Sequence, residues 1–347
     1  MKAALFESFR GPIAVRDVAV PACPDDGVIV AVKACGVCRS DHHAWAGVDP
    51  DVTPPHVPGH EFAGVVIETG RDCRRWRKGD RVTAPFILAC GQCSDCLGGD
   101  ATVCASQHVV GFSSWGAFAE RLAVPHADFN LVRLPDAMDF AVAAGMGCRV
   151  TTAFRAIVDR AQLKPGEWLA VHGTGGVGLA AVMIGAAMGA RVLAIDINAG
   201  ALALARELGA TAVLDAGAHA NVGEAVRAAT SGGAHVAIDA LGITATFHNS
   251  LRSLRKLGRH VQVGMPVGAH AAPAIPLLET VYARQIALMG TRGMAASRFP
   301  ALLAMVEAGR IDVARLITRR IALAEAGAAV AAMDGYVGSG ITVIDRF

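Results

Sequence analysis

The stretch WLAVHGTGGVGLAAVMIGAAMGARVLAID, Trp168 to Asp196, decides the fold. Trp168 to His172 is a short apolar strand, and Gly173, Gly175 and Gly178 turn it into an Ala-rich helix that runs to about Met188. Arg191 to Ile195 is the next strand, ending at Asp196, 18 residues beyond Gly178. A lone GxGxxG says little. Glycines set between a strand and a helix, with an acid closing the next strand, describe a dinucleotide-binding βαβ unit. They allow a tight turn, close approach of backbone to a pyrophosphate and close helix-to-sheet packing, with the helix N-terminus facing the phosphates. We expect Gly173, Gly175, Gly176, Val177 and Gly178 at the cofactor, with Asp196 accepting hydrogen bonds from the adenosine ribose. A carboxylate there repels a 2'-phosphate, and Ile197, Asn198 and Ala199 supply no cation to hold one, which favours NAD over NADP.

On the C-terminal side, Thr211 to Leu214, His235 to Asp239, His260 to Val263 and Ile286 to Met289 are further strands, and Ala199 to Leu208 has helical composition. The repeated βαβ order predicts a doubly wound parallel sheet covered on both faces. Val263 and Gly264, at the end of one of these strands, join the expected cofactor contacts. Beyond Arg292 the tail holds a helix, Phe299 to Ala308, and a closing strand, Gly340 to Ile344; it is too short to bury a core alone and should return to the first domain. On the N-terminal side, Val28 to Lys33, Phe62 to Glu68 and Phe118 to Val124 are short strands among loops rich in Gly, Pro, Asp and Cys, a pattern for an antiparallel, barrel-like domain.

A chain of 347 residues calls for two domains, and 53% apolar against 18% charged residues excludes a disordered one. A net charge of +2 with both signs dispersed gives no nucleic-acid track. The N-terminus MKAALFESFRGPI lacks a signal-peptide pattern, and the best apolar run, Leu179 to Ala190, is too short to span a bilayer. The expectation is a soluble cytoplasmic protein without membrane or nucleic-acid partners.

Nine cysteines carry the rest. Cys90-x2-Cys93-x2-Cys96-x7-Cys104 sets four soft ligands in one excursion, the arrangement of a closed, structural zinc site. An iron–sulfur cluster and a chance grouping of free thiols are the alternatives. The odd total and dense spacing disfavour a disulfide framework. Cys38 in KACGVCRSDHH, His60 in PGHEFAG and Cys148 in GMGCRVTTAF, two thiolates and one imidazole, would leave a fourth position open on a catalytic zinc. Taken singly, Cys148 reads equally as a core thiol and His60 as a surface histidine.

These motifs together resemble the zinc-containing medium-chain alcohol dehydrogenases, from MKAALF to the closing strand. The Cys2His ligand set is that family's own, so the resemblance, not the spacing, assigns Cys38, His60 and Cys148 to one metal. It implies a GroES-like, mainly β catalytic domain (residues 1–149 and 292–347) with a metal lobe (89–105), and a Rossmann domain (150–291). It implies two zinc ions per subunit, NAD, a small alcohol or carbonyl substrate, and a homodimer or homotetramer. Glu61 resembles an acid that approaches the metal, and Asp41 the carboxylate that orients the zinc-bound histidine. Arg39 resembles a pyrophosphate-binding arginine and Thr152 a nicotinamide contact. Ser40 resembles the hydroxyl that touches the substrate oxygen and His43 the outer end of a proton relay, with His42 read as an ordinary polar loop residue. Trp45 and Phe86 resemble aromatic pocket walls.

One departure stands out. Relatives carry a pyrophosphate-binding arginine in the final strand where this chain has Thr342. Arg346 lies about 13 Å further along an extended strand, which leaves Arg39 to do more of that work. The implied activity is NAD-dependent, reversible oxidation of a primary or secondary alcohol by zinc-assisted hydride transfer. Polyol and threonine dehydrogenases share the chemistry. A zinc-free quinone reductase would leave both cysteine groups unexplained, and a metal or redox sensor would leave Ser40 and His43 without a task.

Overall fold

The computed structural model describes residues 1–335 and 339–347. Its C-terminal sheet has six parallel strands in the order Ala212–Asp215, Arg191–Asp196, Trp168–His172, Ala234–Asp239, Leu254–Gln262, Ala287–Gly290. The direction of winding reverses between Trp168–His172 and Ala234–Asp239, and the crevice beyond the carboxyl ends of those two strands is where such sheets bind dinucleotides. Trp168–His172 is buried along its whole length, as a strand covered on both faces must be.

The other large sheet runs Ile317–Ala322, Ile341–Arg346, Val28–Val37, Glu61–Thr69, Arg81–Thr83, Val132–Arg133, with Arg121–Val124 also paired to Val28–Val37. Its pairings are antiparallel except between Ile317–Ala322 and Ile341–Arg346. The last strand therefore lies beside one of the first, with Thr342 opposite Val37 and Val343 opposite Gly36.

Phe140–Arg160 joins the two sheets as one largely buried helix of 21 residues. It is the one helix among the described residues long and apolar enough to cross a membrane, and it is a core element instead. The sequence reading missed it and singled out Leu179–Ala190. Arg149 and Arg155 interrupt the apolar run, and a helix buried nearly all round has no polar stripe to betray its period. Its hydrogen bonding widens to π-helical turns at Met146–Val150 and Arg155–Arg160. The first of these carries Cys148, and such local widening is a frequent device for presenting a functional side chain.

Smaller differences are local. The strand expected from Phe118 begins at Arg121, because Ala117 and Phe118 donate instead to the carbonyls of Gly59 and Pro58. The strand expected from His260 starts at Leu254 and ends at Gln262, where Val263 and Gly264 both donate to the Asp239 carbonyl.

Candidate metal and dinucleotide site

Cys38, His60, Glu61 and Cys148 each offer a ligand atom, all within 4.8 Å of one another and all buried. Cys38 leaves the strand Val28–Val37 and caps the helix Arg39–Trp45, His60 precedes the strand Glu61–Thr69, and Cys148 comes from the connecting helix. Three remote segments thus converge at one point.

Asp41, fully buried, ties them together. One carboxylate oxygen accepts from the Cys38 backbone N–H at 2.8 Å; the other accepts from Gly59 N–H at 3.0 Å and from His60 Nδ1 at 2.8 Å. That last bond fixes the tautomer and leaves His60 Nε2 pointing into the cluster, buried and without a partner. An orphaned acceptor beside two thiols fits a soft cation. Burial works against a charged His60, but Asp41 outweighs it and holds the imidazole well above its ordinary range. The Cys148 thiol, foremost, holds Cys38 well below the usual thiol range. A metal binding here would displace the protons of Nε2 and Sγ, so that a neutral imidazole and thiolates do the ligating.

Glu61, which reaches the cluster with a carboxylate oxygen, is paired with Arg149. The guanidinium grips it at two points, Nε to Oε1 at 3.0 Å and Nη2 to Oε2 at 2.5 Å, with both residues buried. Burial raises Glu61 to about 7 against the pull of Arg149, and the fork-on-fork geometry is that of an ionised pair. Arg149 carried no sequence signal beyond a lone charge in an apolar run.

The rings of Phe86 and Phe112 stand edge-on to His60, with centroids 5.6 and 5.3 Å away. Phe86 was expected here; Phe112 was not. The Trp45 indole N–H donates to the Gly11 carbonyl at 2.6 Å, and Arg10 lies over the ring. Ser40 Oγ lies 3.9 Å from Cys38 Sγ, and His43 sits three residues on along the same short helix. Burial, first, and Arg39, second, lower His43, and its Nδ1 is buried with no partner. The reading of His42 needs correction: it is a buried helical residue whose Nε2 meets Asp334 at 2.8 Å, because the segment after Cys38 is a helix and not a loop.

Cys90, Cys93, Cys96 and Cys104 form a second cluster, with sulfur separations of 3.9 Å (90 to 96), 3.4 Å (93 to 96), 3.8 Å (93 to 104) and 3.6 Å (104 to 90). Four thiolates around one zinc at about 2.3 Å sit about 3.8 Å apart, whereas a disulfide needs about 2 Å. All nine cysteines are free. The backbone N–H groups of Gln92 and Cys93 lower the Cys90 thiol to about 6, while burial raises Cys96 to about 12.

The glycine turn divides its labour as its positions suggest. Gly173 takes φ +91°, which L side chains avoid. A Cβ on Gly178 would stand 1.9 Å from the Gly173 carbonyl, while one on Gly175, just before the helix Gly176–Ala187, would meet nothing within 4 Å. The first arrangement is close packing; the second is open space beside helical N–H groups. Asp196 is already engaged. It accepts from Thr174 N–H and Oγ–H at 2.6 and 2.8 Å and from Ile197 and Asn198 N–H at 2.7 and 3.0 Å. Four bonds use the acceptor capacity of a carboxylate, so ribose hydroxyls would have to share or replace them. Thr152 is buried one turn beyond Cys148, and Arg39 Nη1 donates to the Met333 carbonyl at 2.5 Å.

With this geometry in place, comparison with known proteins is informative. The family model of the alcohol dehydrogenase GroES-like domain matches residues 24–136, and that of zinc-binding dehydrogenases matches residues 176–308. An alcohol dehydrogenase of Geobacillus stearothermophilus is 38% identical over 284 residues, 81% of this chain and 82% of that protein. The solved alcohol dehydrogenase of Thermus sp. ATN1 is similar over 100% of both chains, with a TM-score of 0.91 and 30% identity. That of Aeropyrum pernix gives a TM-score of 0.90 at 26% identity, again over 100% of both chains.

Proposed function

The chain belongs to the zinc-containing medium-chain alcohol dehydrogenases, and from that premise we propose that Cys38, His60 and Cys148 bind the zinc at which a primary or secondary alcohol is oxidised reversibly by NAD. The observation that carries this reading is the orphaned Nε2 of His60, held toward two thiols by Asp41. Bound zinc supplies Lewis acidity at the substrate oxygen, and bound nicotinamide accepts or returns the hydride.

The remaining work falls to the protein. Asp41 keeps the imidazole in the ligating tautomer, so the site is ordered before substrate arrives. Ser40 Oγ takes the hydroxyl proton, and His43, held neutral by burial, passes it outward through Nδ1. Phe86 and Phe112 exclude water beside His60 and favour an apolar substituent over a polyol. The glycine turn from Gly173 to Gly178, with Val263 and Gly264 across the crevice, holds the dinucleotide, and the Asp196 charge selects NAD over NADP. A second zinc on Cys90, Cys93, Cys96 and Cys104 fixes the lobe, giving two per subunit.

The decisive experiment assays primary, secondary, aromatic and polyol substrates with NAD and with NADP on protein of measured zinc content. Turnover of simple alcohols with NAD and about two zinc per chain supports the reading; a preference for polyols or for NADP refutes those parts of it.

The assembly we propose is a homo-oligomer built on the open edge of the parallel sheet. Ala287–Gly290 is an exposed edge strand, and Leu277, Leu278 and Tyr282 beside it are 63, 70 and 76% exposed. Sedimentation velocity distinguishes monomer, dimer and tetramer. Nine reduced cysteines suit the reducing cytoplasm.

A further inference from the structure

Arg149 holds a position that its pairing with Glu61 does not exhaust. Nε and Nη2 face the carboxylate. Nη1 makes no hydrogen bond among the described residues, and both it and Nε would lie 3.4 Å from a Cβ built on Gly176. The side-chain Cδ is closer still, at 2.5 Å. Gly176 opens the helix at the glycine turn, so the guanidinium is wedged between the acid beside the metal cluster and the helical N–H groups beside Gly175.

Room for this wedge is made by a second glycine. A Cβ on Gly36 would stand 1.9 Å from Glu61 Oε2 and 3.0 Å from Arg149 Nη2. Gly36 pairs with Val343 of the final strand, one step from Thr342 opposite Val37. The guanidinium on the connecting helix thus stands beside the final strand. Arg149 is only 6% exposed, a placement that strongly disfavours a lone cation. Glu61 cancels that charge on one edge; an anion on the other edge would complete the fork.

We propose that Arg149 binds the cofactor's pyrophosphate through Nη1 while Nε and Nη2 hold Glu61, so that one guanidinium bridges the phosphate cradle and the carboxylate at the catalytic metal. This rests on the dinucleotide reading of the glycine turn. It replaces Arg39, whose Nη1 is directed to the Met333 carbonyl, as the principal phosphate cation.

The test is calorimetric titration of the zinc-loaded protein with ADP-ribose, which carries the pyrophosphate, and with adenosine, which does not. Wild type binds both. Arg149→Gln should lose about 10- to 100-fold in ADP-ribose affinity, the value of a charge-assisted hydrogen bond, with adenosine unchanged. The Glu61→Gln/Arg149→Gln double variant, which leaves no bare buried carboxylate, should show the same loss, and it carries the test if the single variant does not fold. ADP-ribose affinity retained in Arg149→Gln, or recovered in the double variant, overturns the proposal. Failure of wild type to bind either probe refutes the dinucleotide reading itself.

Discussion

The two cysteine clusters use the same sulfur chemistry to opposite ends. Cys90, Cys93, Cys96 and Cys104 come from 15 consecutive residues, and their four sulfurs would saturate a tetrahedral cation. Cys38, His60 and Cys148 come from three distant segments and leave one place vacant in any tetrahedron they form. The local cluster stands in a partly exposed loop, with Cys90 and Cys93 half-buried, while the assembled one is buried and flanked by Asp41, Glu61 and Arg149. Closure serves shape and openness serves chemistry. The open site also needs a polar frame around it, because its ligands are not held by sequence proximity.

The largest effect that would break this contrast is at Cys38. Cys38→Ala should abolish turnover while the protein retains about one zinc and its fold; full turnover would dissolve the distinction between the two clusters. Next comes Asp41→Asn, expected to weaken metal binding at the open site by about 10- to 100-fold without touching the lobe. Competition with a chelator, read by atomic absorption, should empty the open site first, and simultaneous loss from both would show that the frame contributes nothing. Cys93→Ser should do the reverse. It should cost the lobe its metal and lower the melting temperature by several degrees, which for a chain this size is roughly 1 to 2 kcal/mol, with measurable turnover remaining. The smallest effect separates acid damage at the clusters from acid damage elsewhere. His172, buried in the parallel sheet against Ser253, is held down to about 3 by burial. It stays neutral in the fold while the unfolded chain protonates near 6.5, so its contribution is complete above that pH and declines as pH falls toward 3. The decline is at most about 1.4 kcal/mol per pH unit. His172→Gln should flatten unfolding free energy over that window; an unchanged slope would show that His172 does not set the acid sensitivity.

What the sequence disclosed follows the same division. The four-cysteine lobe and the glycine turn are legible because each compresses its chemistry into a few consecutive residues with defined spacing. Cys38, His60 and Cys148 could be joined only through resemblance, since no local pattern states that residues separated by more than a hundred positions meet. Asp196 was found at the end of its strand, but not its prior commitment to Thr174, which depends on a side-chain conformation. Arg149 escaped notice for a physical reason as well. A buried ion pair is invisible until both partners are placed, and its partner opens a strand 88 residues earlier. His42 was misread because a seven-residue helix of mixed polarity looks like a loop.

The pairing of Ile341–Arg346 with Val28–Val37 has a consequence for how the molecule is made. A ribosome delivers the chain from its N-terminus, and domains form as they emerge. The sulfurs of the lobe are all available once residue 104 has left the exit tunnel, so that metal can be acquired early in translation. The sheet whose strands flank Cys38 and His60 cannot complete its hydrogen bonding until the strand Ile341–Arg346 has been made. The local cluster thus needs only one continuous stretch of chain, whereas the frame beside the dispersed one is closed by a strand far along the sequence.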